Sequence, residues 1–291
     1  MRFIVPAIVL VCCCASSCDY PARASDPPPT FTRIVTLAPN LTELVFAIGA
    51  GDAIVGVSAY SDFPPQAKSL PLIGDAFTVD QEQLALLKPD LLLVWQSGTP
   101  AHIVEELRRV GYRVEVIRTR SLDDVAAALL RIGDLTGRTE QAERVVRQYK
   151  QDLKSLLRRR GRTADIRVFY QVSKRPLFTV NGEHYVSELI EMCGGSNVFA
   201  ELNELAPAIS VEAVIERDPE VMLASTDAGN EAFGEWDRWP RIAANWYGNR
   251  FLMPADEIGR ATVRLVTAGR AVCDALDVAR ERRAAAARSP E

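Results

Sequence analysis

The sequence predicts an α/β protein of two lobes, each with a central, mainly parallel sheet flanked by helices, bridged by one long rigid helix. Strand-like and helix-like segments alternate along the chain, which is typical of parallel sheets covered by helices. The same order of segments restarts near residue 166. A helical pattern over 138–161 separates the two halves, and its apolar residues recur on one face.

The N-terminal lobe is expected over 32–137. Apolar and β-branched runs predict strands over 33–38, 53–59, 90–95 and 113–118. Helical periodicity predicts helices over 41–51 and 101–111. Gly51 is a stop signal for the first of these helices, since glycine is common just after a helix end.

The C-terminal lobe is expected over 162–280, followed by a disordered tail over 281–291. Strands are predicted over 166–172, 219–225 and 250–255, and a helix over 185–195. Two short segments of the first lobe recur here in the same order. Thr42-Glu43-Leu44-Val45 is echoed by Ser187-Glu188-Leu189-Ile190, and the run from Glu82 to Pro89 by the run from Glu212 to Pro219. The echoes indicate two lobes built on one plan.

The N-terminus has the pattern of an export signal. A positive start and an apolar run predict a signal peptide over 1–18, too short to span a bilayer as a helix. Small residues before Cys18 resemble a bacterial lipoprotein signal, in which that cysteine is lipidated, and Asp19 resembles the signal for inner-membrane retention. The alternative is ordinary cleavage near residues 22–25. Residues 19–31 read as a proline-rich tether. Either route places the protein in the periplasm.

Charge and motifs exclude several function classes. The net charge of −4 gives no electrostatic case for nucleic acid, and no phosphate-binding, nucleophile-elbow or zinc-protease motif is present. The two histidines, His102 and His184, read as a solvated helix residue and a loop residue, so no catalytic residue and no metal site are predicted. Cys193 and Cys273 are the cysteines outside the signal region, and they read either as a disulfide or as two buried thiols.

The ends of the predicted strands are rich in aromatic and neutral polar residues. In open α/β sheets, ligands bind beyond the carboxyl ends of the strands. These ends carry Tyr60 to Phe63, Trp95 to Ser97, Tyr170 to Ser173 and Ser225 to Asp227. If the two lobes point these ends at each other, they form a cleft for a large, partly apolar ligand with a polar rim. The alternative is that each aromatic simply closes the edge of a core.

Several segments resemble a known family, the cobalamin- and siderophore-type (class III) periplasmic binding proteins, and most closely its cobalamin binders. The segments are "RIVTLAPNLTELVFAIGAGDAIVGVSAYSDFPP", "EQLALLKPDLLLVW", "FTVNGEHYVSELIEMCGGSNVF" and "RAVCDAL". The resemblance runs from about Arg33 to about Leu276. It implies that the lobes capture cobalamin or a related corrinoid and deliver it to the permease dimer of an inner-membrane ABC importer. No intrinsic cofactor and no enzyme activity are implied, and a monomer is expected.

The resemblance also assigns roles to residues of this chain. It implies a Cys193–Cys273 disulfide, and it makes Glu82 and Glu212 the carboxylates that dock on the permease. Both glutamates also read simply as helix-start carboxylates, which the helix dipole favours. The candidate ligand-binding residues are Tyr60, Asp62, Phe77, Trp95, Phe178, Asp256 and Arg260.

Two positions depart from the cobalamin binders. Those proteins have a tryptophan six residues before each docking glutamate, where this chain has Ala76, with Phe77 beside it, and Ala206. Haem or a ferric siderophore is therefore an alternative ligand. Two further alternatives are an anchored scavenger that is not coupled to an importer, and a metal-cluster enzyme on the same two-lobed fold. The enzyme would need cysteine or histidine ligands in the cleft.

Overall fold

The computed structural model describes residues 30–75, 77–159, 165–229 and 231–288. The expected signal peptide, the lipidation candidate Cys18 and most of the predicted tether lie outside these ranges, and so does Ala76. No helix in the described ranges is long and apolar enough to cross a membrane.

The first lobe is a four-stranded parallel sheet in the order β2-β1-β3-β4. Its strands are β1 (Ile34–Thr36), β2 (Ile54–Val57), β3 (Leu91–Trp95) and β4 (Val114–Ile117). Its helices are α1 (Pro39–Ala47), α2 (Gln81–Leu87), α3 (Ala101–Arg109) and α4 (Leu122–Thr136), and the chain then enters α5 (Thr139–Arg159). Helix α1 begins two residues before the predicted start because Pro39 suits the first helical position.

The second lobe repeats this plan in the order β10-β9-β5-β8, again with all neighbours parallel. The elements are β5 (Ile166–Gln171), the hairpin β6 (Ser173–Lys174) and β7 (Leu177–Phe178), α6 (Tyr185–Met192), β8 (Gly195–Asn197), α7 (Val211–Arg217), β9 (Val221–Ser225), α8 (Ala243–Trp246), β10 (Arg250–Met253), α9 (Ala255–Gly259) and α10 (Leu265–Ala286). The second sheet can be read from β8 to β10, with its strands numbered within the lobe and the hairpin left out. Both sheets then have their strands in the order second, first, third, fourth. The predicted fold class is confirmed.

The two sheets share one hydrophobic core. Side chains alternate between the two faces of each strand. In β3, Leu91 and Leu93 face a core that continues into the second lobe, whereas Leu92 and Val94 face a separate outer cluster. Strand β9 alternates in the same way between the shared core and an outer cluster of the second lobe.

Helix α5 joins the lobes through close contacts near both of its ends. Near its start, Ala142 lies against Gly133 of α4, where a Cβ on the glycine would come within 2.6 Å of the alanine Cβ. Near its end, Leu156 lies against Gly269 of α10, where a Cβ would come within 2.5 Å of the leucine side chain. A side chain at either glycine would displace its neighbour, and together the two contacts fix each lobe to the same helix.

A disulfide connects Cys193, just after α6, to Cys273 within α10. The predicted pairing is confirmed, and both residues are buried. Arg280 reinforces the same junction because its guanidinium donates hydrogen bonds to the carbonyls of Cys193 and Gly194, at 2.7 and 2.8 Å. The end of α6 is therefore held to α10 covalently and through an arginine.

Several elements differ from the sequence-based expectations. The disordered tail predicted from residue 281 is wrong over 281–286, because α10 continues to Ala286. This stretch is polar but rich in arginine and alanine, which are strong helix formers. Helices α4, α8 and α9, the hairpin of β6 and β7 and the short strand β8 were not predicted. Strand β8 (Gly-Ser-Asn) has no apolar residue to reveal it.

Candidate functional site

The carboxyl ends of the two sheets face each other. At one edge, Arg260, which follows β10 and α9, donates a 2.7 Å hydrogen bond to Asp62 in the loop after β2. At the other edge, the Tyr185 N–H at the start of α6 donates a 2.7 Å hydrogen bond to the Arg120 carbonyl after β4. Since β2 and β4 are the edge strands of the first sheet, the ends of the inner strands lie between these two contacts. This space is the candidate ligand cleft.

The loop after β2 holds Tyr60 out towards solvent. Ser58 and Ser61 are buried, and the Thr42 hydroxyl on α1 donates a 3.0 Å hydrogen bond to the Ser61 hydroxyl. Tyr60 has a left-handed backbone (φ 65°), and 81% of its surface is exposed. Positive φ is uncommon for a bulky residue and is retained only where the surroundings impose it. The buried hydroxyls thus fix the loop while its aromatic ring stays free.

Phe77 and Trp95 occupy different environments in the first lobe. Phe77 is 71% exposed in a turn, where the Asp75 carboxylate accepts hydrogen bonds from the Phe77 and Thr78 N–H groups at 2.8 and 2.7 Å. Trp95 ends β3 half-buried against the shared core, and its ring covers Gly98. Its indole N–H is buried without a hydrogen-bond partner in the described part of the chain.

The second lobe contributes Phe178 and Asp256. Phe178 is half-buried in β7, in the hairpin that follows the carboxyl end of β5, and pairs with Ala208 across an isolated bridge. Asp256 lies in the first turn of α9, just beyond the carboxyl end of β10. Its carboxylate forms an ion pair with the second terminal nitrogen of the Arg260 guanidinium, at 3.0 Å. Both residues therefore lie beyond the carboxyl end of a strand in the second sheet.

Arg260 is the centre of a charge cluster between the lobes. One of its nitrogens donates to both Asp62 and Glu43, the latter at 2.9 Å, and its side chain is only 14% exposed. Partial burial of Asp62 opposes ionisation, but the hydrogen bond and charge of Arg260 outweigh it and lower the pKa of that carboxyl. Sequence reasoning predicted Arg260, Asp62 and Asp256 separately, and the structure brings all three together.

Sequence reasoning missed Glu43 and Arg264, which complete the cluster. Arg264 donates to Glu43 at 3.2 Å and to Glu257 at 2.6 Å, and its guanidinium lies 4.2 Å from the centre of the Phe63 ring. The repeated Thr/Ser-Glu-Leu-Val/Ile segment had drawn attention to Glu43 as part of an echo. Nothing in the sequence showed that its partners would be arginines more than 200 residues away.

The predicted docking residues have matching local structures. Glu82 and Glu212 are both exposed at the second position of a seven-residue helix. The carboxylate of Asp80 accepts from the Glu82 N–H at one helix start, and the Ser210 hydroxyl accepts from the Ala213 N–H at the other. At Glu212, local hydrogen bonds lower the pKa of the carboxyl, so it stays charged at neutral pH. Both glutamates therefore lie where the helix dipole favours a carboxylate, as the simpler interpretation predicts. Their role in docking on a permease stays a prediction.

The described residues contain no group of three or more histidine, cysteine or acidic side chains arranged to hold a metal ion. His102 is exposed on α3. His184 precedes α6, where its Nδ1 accepts a 3.2 Å hydrogen bond from the Val186 N–H. Its position at the helix start gives the second histidine a structural role.

The sequence profile of the periplasmic binding protein family matches residues 34–257. A vitamin B12-binding protein of Vibrio cholerae is 33% identical over 251 residues, which cover 86% of this chain and 90% of that protein. The crystal structure of the periplasmic vitamin B12 binding protein BtuF of Vibrio cholerae has a TM-score of 0.77 and 32% identity, covering 86% of this chain and 98% of that one. The periplasmic heme binding protein HutB of the same organism (TM-score 0.73, 20% identity, 84% and 98% covered) shares the fold alone. The chain therefore belongs to the periplasmic binding protein family.

Proposed function

We propose that this protein captures cobalamin or a related corrinoid between its lobes, without chemical change, for delivery to an ABC importer. The observation that carries the proposal is the exposed Tyr60 ring, on a loop that buried hydroxyls fix and that also carries Asp62. A corrin is a wide, partly apolar plate with polar side chains, so an aromatic face beside an arginine suits both parts of it. The named ligand of its Vibrio cholerae relatives supports the same choice.

Haem is the second candidate ligand, and the exposed Tyr60 hydroxyl is the observation that favours it. A tyrosine oxygen is one of the axial ligands that proteins give to haem iron. Ala206 is exposed where cobalamin binders have an aromatic wall, which leaves room for a different plate-shaped ligand. The two candidates use Tyr60 differently, because cobalamin needs only the ring face whereas haem iron needs the oxygen.

Calorimetric titration and visible absorption spectra with cyanocobalamin and with haemin decide between the two ligands. We expect cyanocobalamin to bind with one site per chain. Tyr60→Phe keeps the ring and removes the oxygen, so it should retain cobalamin binding while losing any spectral sign of tyrosine-ligated haem. A flat cobalamin titration, together with haemin binding that Tyr60→Phe abolishes, would transfer the assignment to haem.

Delivery would use Glu82 and Glu212 as paired contacts for the permease dimer of the importer. Each carboxylate is exposed at the same point of its lobe's repeat, so one two-fold symmetric partner could meet both with the same basic pocket. Charged contacts of this kind set orientation and association rate more than affinity. The proposal thus assigns these residues to docking and not to ligand capture.

Membership of the family places the protein in the periplasm. We further propose that it acts as a monomer and is anchored to the inner membrane through a lipidated Cys18. A Cys18→Ser variant should move from the membrane fraction to the soluble periplasmic fraction, while a soluble wild-type protein would exclude the anchor.

A further inference from the structure

The two glutamates of the repeated Thr/Ser-Glu-Leu-Val/Ile segment both reach into the opposite lobe. Glu43 lies in α1 and Glu188 in α6, the helices that follow the first strand of each lobe. Glu43 contacts Arg264, which directly precedes α10, while Glu188 contacts Leu122, the first residue of α4. Helices α4 and α10 follow the last strand of each lobe, so the two contacts are equivalent in the duplicated plan.

The equivalent contacts differ in chemistry. Oε2 of half-buried Glu188 accepts a 3.2 Å hydrogen bond from the Leu122 N–H, one of the backbone donors that a helix start leaves unsatisfied. Its contact therefore joins the lobes and involves none of the candidate ligand residues. Glu43 instead accepts from two arginines, Arg260 and Arg264, and only 3% of its side chain is exposed.

Glu43 is the buried partner of Arg260. The other two carboxylates on Arg260 are Asp62 and Asp256, whose side chains are 46% and 48% exposed. Exposed carboxylates can exchange partners when a ligand arrives, whereas a buried one stays in place. Arg264 is held independently, because Glu257 accepts from its other terminal nitrogen and the Phe63 ring lies beneath it.

We infer that Glu43 is a positioning residue, which holds the Arg260 guanidinium at the edge of the cleft so that the donors now paired with Asp62 and Asp256 can meet the ligand. The inference rests on the proposed function, since Arg260 is a proposed ligand contact. In this assignment Glu188, its counterpart in the repeat, only joins the lobes.

The charges of Glu43 and Arg260 are coupled. Burial raises the pKa of the Glu43 carboxyl despite the opposing hydrogen bonds and charges of Arg260 and Arg264. Conversely, the Asp62 and Glu43 carboxylates raise the pKa of the Arg260 guanidinium against the opposing effect of burial. Neutralising Glu43 leaves two largely buried guanidinium groups without this counter-charge, so it should lower the melting temperature as well as the affinity. The reactivity of Arg260 itself therefore distinguishes a positioning role from a merely stabilising one.

The test compares Glu43→Gln with the matched control Glu188→Gln in the full-length protein. Cyanocobalamin affinity is measured by calorimetry and stability by thermal melting. Glu43→Gln should bind about tenfold more weakly, because a charge-assisted hydrogen bond that fixes Arg260 is lost. Its melting temperature should fall, because Arg260 and Arg264 lose a buried counter-charge. Glu188→Gln should bind within about twofold of the wild type, as expected for a site without contacts to the ligand residues.

A second readout needs no ligand. Phenylglyoxal modifies arginine, and peptide mass spectrometry gives the modification rate of Arg260. Glu43→Gln should raise that rate, while Glu188→Gln and Glu257→Gln should leave it unchanged. If Glu43→Gln does not fold, Glu43→Asp, which keeps the charge on a shorter arm, takes its place with the same expected direction.

The outcomes separate the inference from the proposed function. A wild type that does not bind cyanocobalamin refutes the ligand assignment, and the phenylglyoxal rates then decide the inference alone. Equal loss of affinity in the Glu43 and Glu188 variants would show that both merely hold the lobes together. Unchanged affinity and unchanged Arg260 reactivity in Glu43→Gln would overturn the inference outright.

Discussion

Removing the Cys193–Cys273 disulfide should destabilise the protein by an amount that the chain length between the cysteines determines. The two residues are separated by 80 positions. The loop-closure entropy of a cross-link of this span corresponds to about 4.5 kcal/mol at 25 °C. For a domain of this size, that loss lowers the melting temperature by about 8 °C.

The experiment compares urea unfolding of the wild type with that of the double variant Cys193→Ala/Cys273→Ala. The denaturant dependence of the unfolding free energy should become steeper in the variant, because an unfolded chain without the cross-link exposes more surface. The wild type treated with a reductant is the control for the substitutions themselves, since it loses the bond but keeps both sulfur atoms. Cyanocobalamin affinity should not change, because the bond lies at the end of α6 away from the candidate cleft.

A small effect would refute this reasoning. If the double variant and the reduced wild type both melt within about 2 °C of the oxidised protein, the cross-link contributes under about 1 kcal/mol. The contacts of Arg280 with the end of α6 would then be sufficient to hold that junction. If only the double variant is destabilised, the loss arises from the substituted side chains and not from the bond.

Three other perturbations test separate parts of the structure. Tyr60→Ala and Trp95→Ala should both weaken ligand binding. Only Trp95→Ala should also lower the melting temperature, because only Trp95 packs on the shared core. An unchanged melting temperature for Trp95→Ala would contradict that packing. Glu82→Ala/Glu212→Ala should reduce uptake in cells without altering ligand affinity, and normal uptake would show that these are only helix-start carboxylates. Burial lowers the pKa of His184 from 6.5 to about 4. The folded protein therefore favours the neutral ring, whose contribution to the free energy of unfolding is complete above pH 6.5 and is lost as the pH falls towards 4. His184→Asn keeps a hydrogen-bond acceptor at the helix start, so its melting temperature should depend less on pH across that window, and an identical dependence would refute the assignment.

The fold could be predicted from the sequence because the patterns that indicate strands and helices are local. Alternation of apolar runs with helical periodicity located the strands of both sheets within a few residues, except β8, which is short and polar. The duplication was visible because the segments around Glu43 and Glu188, and those around Glu82 and Glu212, keep their order and spacing. Helix α4 was missed although Ser121 and Asp124 form a capping box at its start, a signal that could have located it.

The candidate site was less predictable because its contacts are long-range. Arg260, Asp62 and Asp256 were assigned to the ligand by resemblance, but their meeting in one cluster depends on how the two lobes face each other. Glu43 reads as an ordinary amphipathic-helix residue until its arginine partners are seen. The repeat showed that the residue type recurs, and only the three-dimensional arrangement showed what each copy contacts.

The shared core has a consequence for the order in which the chain folds during synthesis. The N-terminal half is made first, but the apolar face of its sheet continues into a core that needs α5 and α10 for completion. Because Leu156 of α5 lies on Gly269 of α10, this core is assembled only after residues near the C-terminus have been made. Proteases should therefore degrade the N-terminal half rapidly when it is expressed alone. The whole chain should unfold in a single calorimetric transition and not as two independent lobes.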